Sequence, residues 1–119
     1  MFSELVLDHF RNPRNAGKLA NATVEVQATN PVCGDILRVS LQVRDGRVTE
    51  IRFKAKGCVP SMACASALTE LVEGQTLAET RALKRDMLIA AVGGLPQAST
   101  HAAQLALDAL SAALSELQP

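Results

Sequence analysis

The apolar pattern of the chain changes its period at Gly57-Cys58-Val59-Pro60-Ser61, and that change limits the folds open to it. Upstream, apolar and polar residues alternate as they do along half-buried strands, over Thr23–Ala28, Asp35–Arg44 and Arg47–Lys56. Asp45-Gly46 lies between the last two segments and supplies the positive φ angles of a tight hairpin, so the three segments predict an antiparallel sheet. Ile51, Phe53 and Ala55 are expected to face the core, leaving Arg52, Lys54 and Lys56 as a solvated row on the other face. Downstream, Met62, Ala65, Leu68, Leu71 and Val72 recur at helical spacing up to Gly74. Pro60 suits the first turn of that helix, because it has no N–H to leave unsatisfied there.

Further capping signals divide the rest of the chain. Thr76-Leu77-Ala78-Glu79 is a capping box that opens a helix over 77–83, and Asp86 can cap another through Ala91, broken by Gly93-Gly94-Leu95-Pro96. Ser99 or Thr100 is expected to cap a final long helix with the stripe Ala103, Ala106, Leu107, Leu110, Ala113, Leu114 and Leu117. At the other end, Ser3 is expected to cap a short helix with Phe2, Leu5, Val6, His9 and Phe10 on one face, ended by Pro13 and Gly17. Strands first and helices afterwards predict an α+β fold, a three-stranded antiparallel sheet with helices packed on one face. The 119 residues are the size of one ordinary domain, expected over 1–119.

Charge and composition narrow the function. Twelve basic residues balance twelve acidic ones, so nothing steers the chain toward nucleic acid or an anionic membrane. Trp and Tyr are absent and Phe occurs three times, which leaves no stacking surface for single-stranded nucleic acid. No apolar run approaches the length of a membrane span. Three cysteines, an odd number with no signal peptide, fit a reducing cytoplasm and thiol or metal chemistry better than a disulfide framework.

Cys33 and Asp35 place a soft sulfur and a hard oxygen two apart, on the same side of an extended chain, where they could share one metal. Gly34 between them removes the Cβ that would crowd an incoming ion or a second loop. A lone cysteine is more often a small buried hydrophobe, so the motif gains weight only from its company. Cys58 lies at a strand end just before a helix N-terminus, whose dipole and free N–H groups favour the thiolate. His101 falls in the first turn of the last helix, off its apolar stripe. Cys64 reads as core filler inside the helix, and His9 as a partly buried helix-face residue with no cysteine within helical reach.

Taken in order, Asp8-His9-Phe10-Arg11-Asn12-Pro13-Arg14-Asn15, Cys33-Gly34-Asp35, Phe53-Lys54 with Gly57-Cys58, Thr69-Glu70-Leu71-Val72-Glu73-Gly74, and Leu95-Pro96 ahead of His101 form an ordered series. In this series the chain resembles the U-type iron–sulfur cluster assembly scaffolds, the IscU/NifU N-terminal family. The resemblance implies that the two motif cysteines, a third cysteine near the last helix and the aspartate hold a nascent [2Fe–2S] cluster or a zinc ion. It also implies a partner cysteine desulfurase that delivers sulfur as a persulfide. Where the family has a cysteine directly after the histidine, this chain has Ala102, which neither ligates a metal nor receives sulfur. Leu95-Pro96-Gln97-Ala98-Ser99 keeps only the start of the Leu-Pro-Pro-Val-Lys element that one branch presents to an Hsp70-type chaperone. The helix from Met62 to Val72 lacks the insertion of the zinc-dependent sulfurtransferase branch.

Cys33, Asp35, Cys58 and His101 would together supply two thiolates, a carboxylate and an imidazole, an acceptable tetrahedral set for zinc. The same set is conceivable for a labile [2Fe–2S] core, since histidine replaces cysteine at one iron in some clusters. Cys64 substitutes for the lost thiolate only if the helix N-terminus unwinds. Three readings follow. The first is a non-enzymatic scaffold or carrier of iron or a cluster, acting between a desulfurase and recipient apo iron–sulfur proteins. The second is a zinc-held sulfur acceptor in which Cys58 or Cys33 takes the persulfide. The third is a degenerate regulatory relative that binds the desulfurase without building clusters. Zinc hydrolysis ranks last, because no general-base Glu accompanies the cysteines.

Overall fold

Asp45 and Gly46 both take positive φ, 55° and 72°, and make the two-residue turn that joins β2 (Ile36–Arg44) to β3 (Arg47–Lys56). β1 (Val24–Thr29) pairs with the other side of β2, which gives the expected three antiparallel strands in the order β1-β2-β3. The computed structural model describes residues 2–117; Met1, Gln118 and Pro119, at the ends of the expected 1–119 domain, lie outside the described residues. One irregularity interrupts the β2–β3 ladder: Val43 pairs with Val48 but Gln42 with Glu50, leaving Thr49 as an extra residue on β3. Beyond that bulge Ile51 and Phe53 face the core, and Lys54 and Lys56 are exposed. Arg52 is less free than a solvated row implies: it lies 3.6 Å from Glu73 and donates to Asn15 Oδ1 at 3.3 Å.

The helices are α1 (Glu4–Arg11), α2 (Val59–Val72), α3 (Leu77–Arg81), α4 (Arg85–Ala91) and α5 (Thr100–Glu116), with a 3₁₀ turn over Gln97–Ser99. α2 packs on β3 and α5 on β1 and β2, which gives the expected helix layer on one sheet face. Among the described residues, no helix is long and apolar enough to cross a membrane.

Several local expectations are refined. α2 is not striped: Pro60, Ser61, Ala63 through Thr69 and Val72 are all buried, because α1, α4, α5 and β3 surround it. On α1 only Val6 and His9 are buried, while Leu5 and Phe10 are exposed. Asp86 does not cap α4; Lys84 holds the N-cap position and Asp86 lies in the first turn, near the positive helix end. Thr76 and Glu79 do form the capping box of α3, which ends earlier than 83 as Leu83 N–H turns back to Thr80 O. Neither Ser99 nor Thr100 caps α5 through its side chain; Thr100 Oγ1 donates backward to Gln97 O at 3.0 Å. Leu105 and Ala109 widen the buried face of α5 beyond the expected stripe, while Leu107 is only half-buried.

A buried polar chain ties α1 to α2. Ser66 Oγ accepts from the Arg14 backbone N–H at 2.8 Å and lies 2.8 Å from His9 Nδ1. The Glu70 carboxylate, 3.4 Å from His9 Nε2, only accepts, so the neutral ring carries its proton on Nε2 and Nδ1 accepts the Ser66 hydroxyl proton. Burial holds the His9 pKa below its ordinary value, helped by Arg14 and opposed by Glu70 and Asp8. Because the neutral ring is the folded form, its contribution is present above the unfolded pKa and is lost as pH falls toward the folded value. Chemical denaturation across a pH series is therefore expected to show stability declining below about pH 6.5, with a shallower decline in His9→Gln.

Candidate metal centre

The sheet register builds the centre. Ile36↔Lys56 is the last ladder pair of β2 and β3, and one further step sets Asp35 opposite Gly57. The approach there is so close that a Cβ on Gly57 would lie 2.6 Å from Asp35 Cγ and Oδ1. Gly57 is thus the glycine that makes room. Gly34, expected to serve that purpose, has open space around it and is needed instead for its φ of 77°. The loop before β2 is a turn and not an extended strand: Gly34 N–H donates to Asn30 O at 2.7 Å, Asn30 N–H to Asp35 O at 2.8 Å, and Val32 N–H to Asn30 Oδ1 at 3.0 Å. Cys33 and Asp35 meet because this turn curls, and not because of strand alternation.

Ligand atoms of Cys33, Asp35 and His101 all lie within 4.8 Å of one another. Cys58, the fourth candidate, stands at the N-cap of α2 and donates its thiol proton to Asp35 Oδ2 at 3.2 Å. His101 Nδ1 lies 3.1 Å from Ala98 O. A carbonyl only accepts, so the neutral ring carries its proton on Nδ1 and keeps the Nε2 lone pair for a ligand. Asp35 is 6% exposed. Burial pushes its carboxyl up, but hydrogen bonds from Ser61, the Cys58 and Cys33 thiols and the Cys58 N–H outweigh this and hold it below the usual carboxylate range.

Cys33 and Cys58 are exposed. Cys64 is fully buried among the apolar residues of α2, and burial, with the neighbouring Cys58 adding to it, pushes its thiol up to about 12. It is not brought to the group. His9 lies in the network between α1 and α2, away from the four candidates. Sequence reasoning missed Ser61, whose Oγ donates to Asp35 Oδ2 at 2.6 Å and sits 3.2 Å from Cys58 Sγ. The available signal was spacing, because the N-cap and N3 residues of a helix face each other as in a capping box.

The family described as "NifU-like N terminal domain" matches residues 1–118. The chain belongs to that family. Among curated relatives it is 41% identical to iron-sulfur cluster assembly scaffold protein IscU 1 of Archaeoglobus fulgidus, over 96% of this chain and 74% of the relative. It is 38% identical to the scaffold protein IscU of Escherichia coli, over 97% of this chain and 92% of that protein. A crystal structure of the N-terminal part of a nitrogen-fixing NifU-like protein from Brucella abortus superposes with a TM-score of 0.83 at 22% identity, covering 97% of this chain and 92% of the other, a likeness of fold.

Gly57→Ala tests the close approach that places Asp35 in this family member. The added methyl is expected to cost about 1–3 kcal/mol in denaturant unfolding, as overpacking does. It should also drive Asp35 off Ser61 and Cys58, which the Asp35 carboxyl titration in NMR would register as a rise toward the ordinary range.

Proposed function

We propose that the chain, as one domain over residues 1–119, is a scaffold that carries iron and sulfur and holds a nascent [2Fe–2S] cluster as its cargo. The observation that carries this reading is the convergence of Cys33, Asp35 and His101 within 4.8 Å, with Cys58 bonded to Asp35. Two sulfurs, an oxygen and a nitrogen fit iron in a labile cluster and fit zinc equally as a chemical set. Its curated relatives named as iron–sulfur cluster assembly scaffolds, at 38–41% identity over nearly the whole chain, support the same role. The chain itself need not catalyse a reaction; it orients thiols toward a donor and a recipient.

In this role a cysteine desulfurase supplies sulfur and apo iron–sulfur proteins take the cargo. Cys58 is the first candidate acceptor, with Cys33 the second, since both are exposed. The thiolate attacks the outer sulfur of the donor persulfide and the donor cysteine leaves as a thiolate. A groove bordered by Asn30, Pro31, Arg85 and Gln104 opens beside His101 and gives a partner's loop room to approach. Three unpaired cysteines suit the reducing cytoplasm. An Hsp70-type chaperone is the weakest partner assignment, because only Leu95-Pro96 of its recognition element is present.

A second reading, a zinc-held persulfide acceptor, is favoured by Ala102: with no thiol beside His101 the site offers two sulfurs. Anaerobic reconstitution with iron, cysteine and a desulfurase separates the two. The expected result is a visible cluster spectrum with acid-labile sulfide, transfer to an apo-ferredoxin, and loss of both in Cys58→Ser. Tight zinc binding, with labelled sulfur accepted and no cluster formed, would establish the second reading in its place.

A further inference from the structure

Three atoms from two parts of the chain meet at the head of α2: Ser61 Oγ and Cys58 Sγ from its first turn and Asp35 Oδ2 from the start of β2, at 2.6 Å and 3.2 Å from Oδ2 and 3.2 Å between sulfur and hydroxyl. An ionised carboxylate only accepts, so the Ser61 proton is given to Oδ2 and the hydroxyl's lone pairs are turned toward the sulfur. The other carboxylate oxygen, Oδ1, lies over Gly57 where no Cβ intervenes. The carboxylate plane is thereby fixed at both ends. Its two supports are rigid, because the helix backbone holds Ser61 and the sheet register holds Asp35.

Resting on the reading of this cluster as a metal centre, we propose that Ser61 is its positioning residue. Its hydroxyl aims Asp35 toward Cys33 and His101 before an ion arrives, while Cys58 is held beside the carboxylate by its own thiol bond to Oδ2. A thiolate bound to metal has no S–H to donate, so the Cys58 bond to Asp35 is given up in a loaded site. The Ser61 bond is not, and it becomes the hydroxyl contact that still orients the carboxylate. Hydrogen bonds of this kind, from outside the ligand set to a ligand, commonly set metal affinity. A site with two thiols, whose remaining donors are a carboxylate and an imidazole, depends on that orientation more than one rich in thiolates.

The test uses the whole chain and Co²⁺ as a spectroscopic probe, with Zn²⁺ affinity read by chelator competition and the fold checked by circular dichroism. Ser61→Ala is expected to lower affinity by about 10–100-fold and to change the ligand-field bands of bound Co²⁺. Ser61→Thr should restore both and Ser61→Val should not; these two are nearly equal in volume and differ by the hydroxyl, so their comparison stands whatever the added methyl does to stability. Parent-like affinity and spectra in Ser61→Ala and Ser61→Val would overturn the role of Ser61 and leave the centre standing. A parent chain that binds neither ion would overturn the metal reading itself.

Discussion

The close approach of the Asp35 carboxylate to the backbone of Gly57 is the constraint on which the rest of the site depends. It joins the start of β2 to the end of β3, the point at which the sheet gives way to α2. The approach follows from register, and the register follows from the bulge. Had the Asp45-Gly46 turn led into an unbroken ladder, Asp35 would face Lys56. The extra residue Thr49 moves the pairing by one, and Asp35 faces Gly57, which has no Cβ to collide with it. Because a one-residue slip exchanges the two faces of a strand, the bulge also returns Val48 to the core side with Ile51 and Phe53.

Much of this was legible in the residues. The hairpin turn, the three strands and the start of the helical half follow from Asp45-Gly46 and from the change of period near Cys58. The bulge leaves only a faint trace in the residues: Val48 and Ile51 are both apolar yet three apart, which strict alternation does not produce, and both prove fully buried. The site was legible as residue types and illegible as geometry. Spacing suggested that Cys33 and Asp35 meet along a strand, whereas a turn brings them together, and Gly34 and Gly57 differ in the reasons they must be glycine. Ser61 escaped notice because a serine early in a helix is ordinary until a carboxylate from another strand is placed beside it.

α2 shows why periodicity failed where it did. A stripe marks a helix with one solvent face, and α2 has almost none, since α1, α4, α5 and β3 enclose it. Its small residues Ala63, Ala65, Ser66 and Ala67 let those neighbours approach, and Ser66 also takes part in the polar chain through His9. Enclosure gives the helix a fixed axis, so its first turn presents Cys58 and Ser61 to Asp35 from a firm base. The exposed thiol at the end of a rigid element combines access with placement, which a thiol on a free loop does not.

Ala102 and Cys64 complete the account of the thiols. Ala102 is 1% exposed, so the position beside His101 is turned into the core and supplies only packing. A third thiol exists in Cys64, but it is fully buried within α2. To reach the centre it would need the first turn of the helix to unwind, and that turn carries both Cys58 and Ser61. Unwinding it would release Ser61 from Asp35 and free the carboxylate that the sheet register and Gly57 hold in place. A third thiolate and a fixed carboxylate are therefore alternatives in this chain. The folded state takes the carboxylate, and with it a set of donors harder than three thiolates.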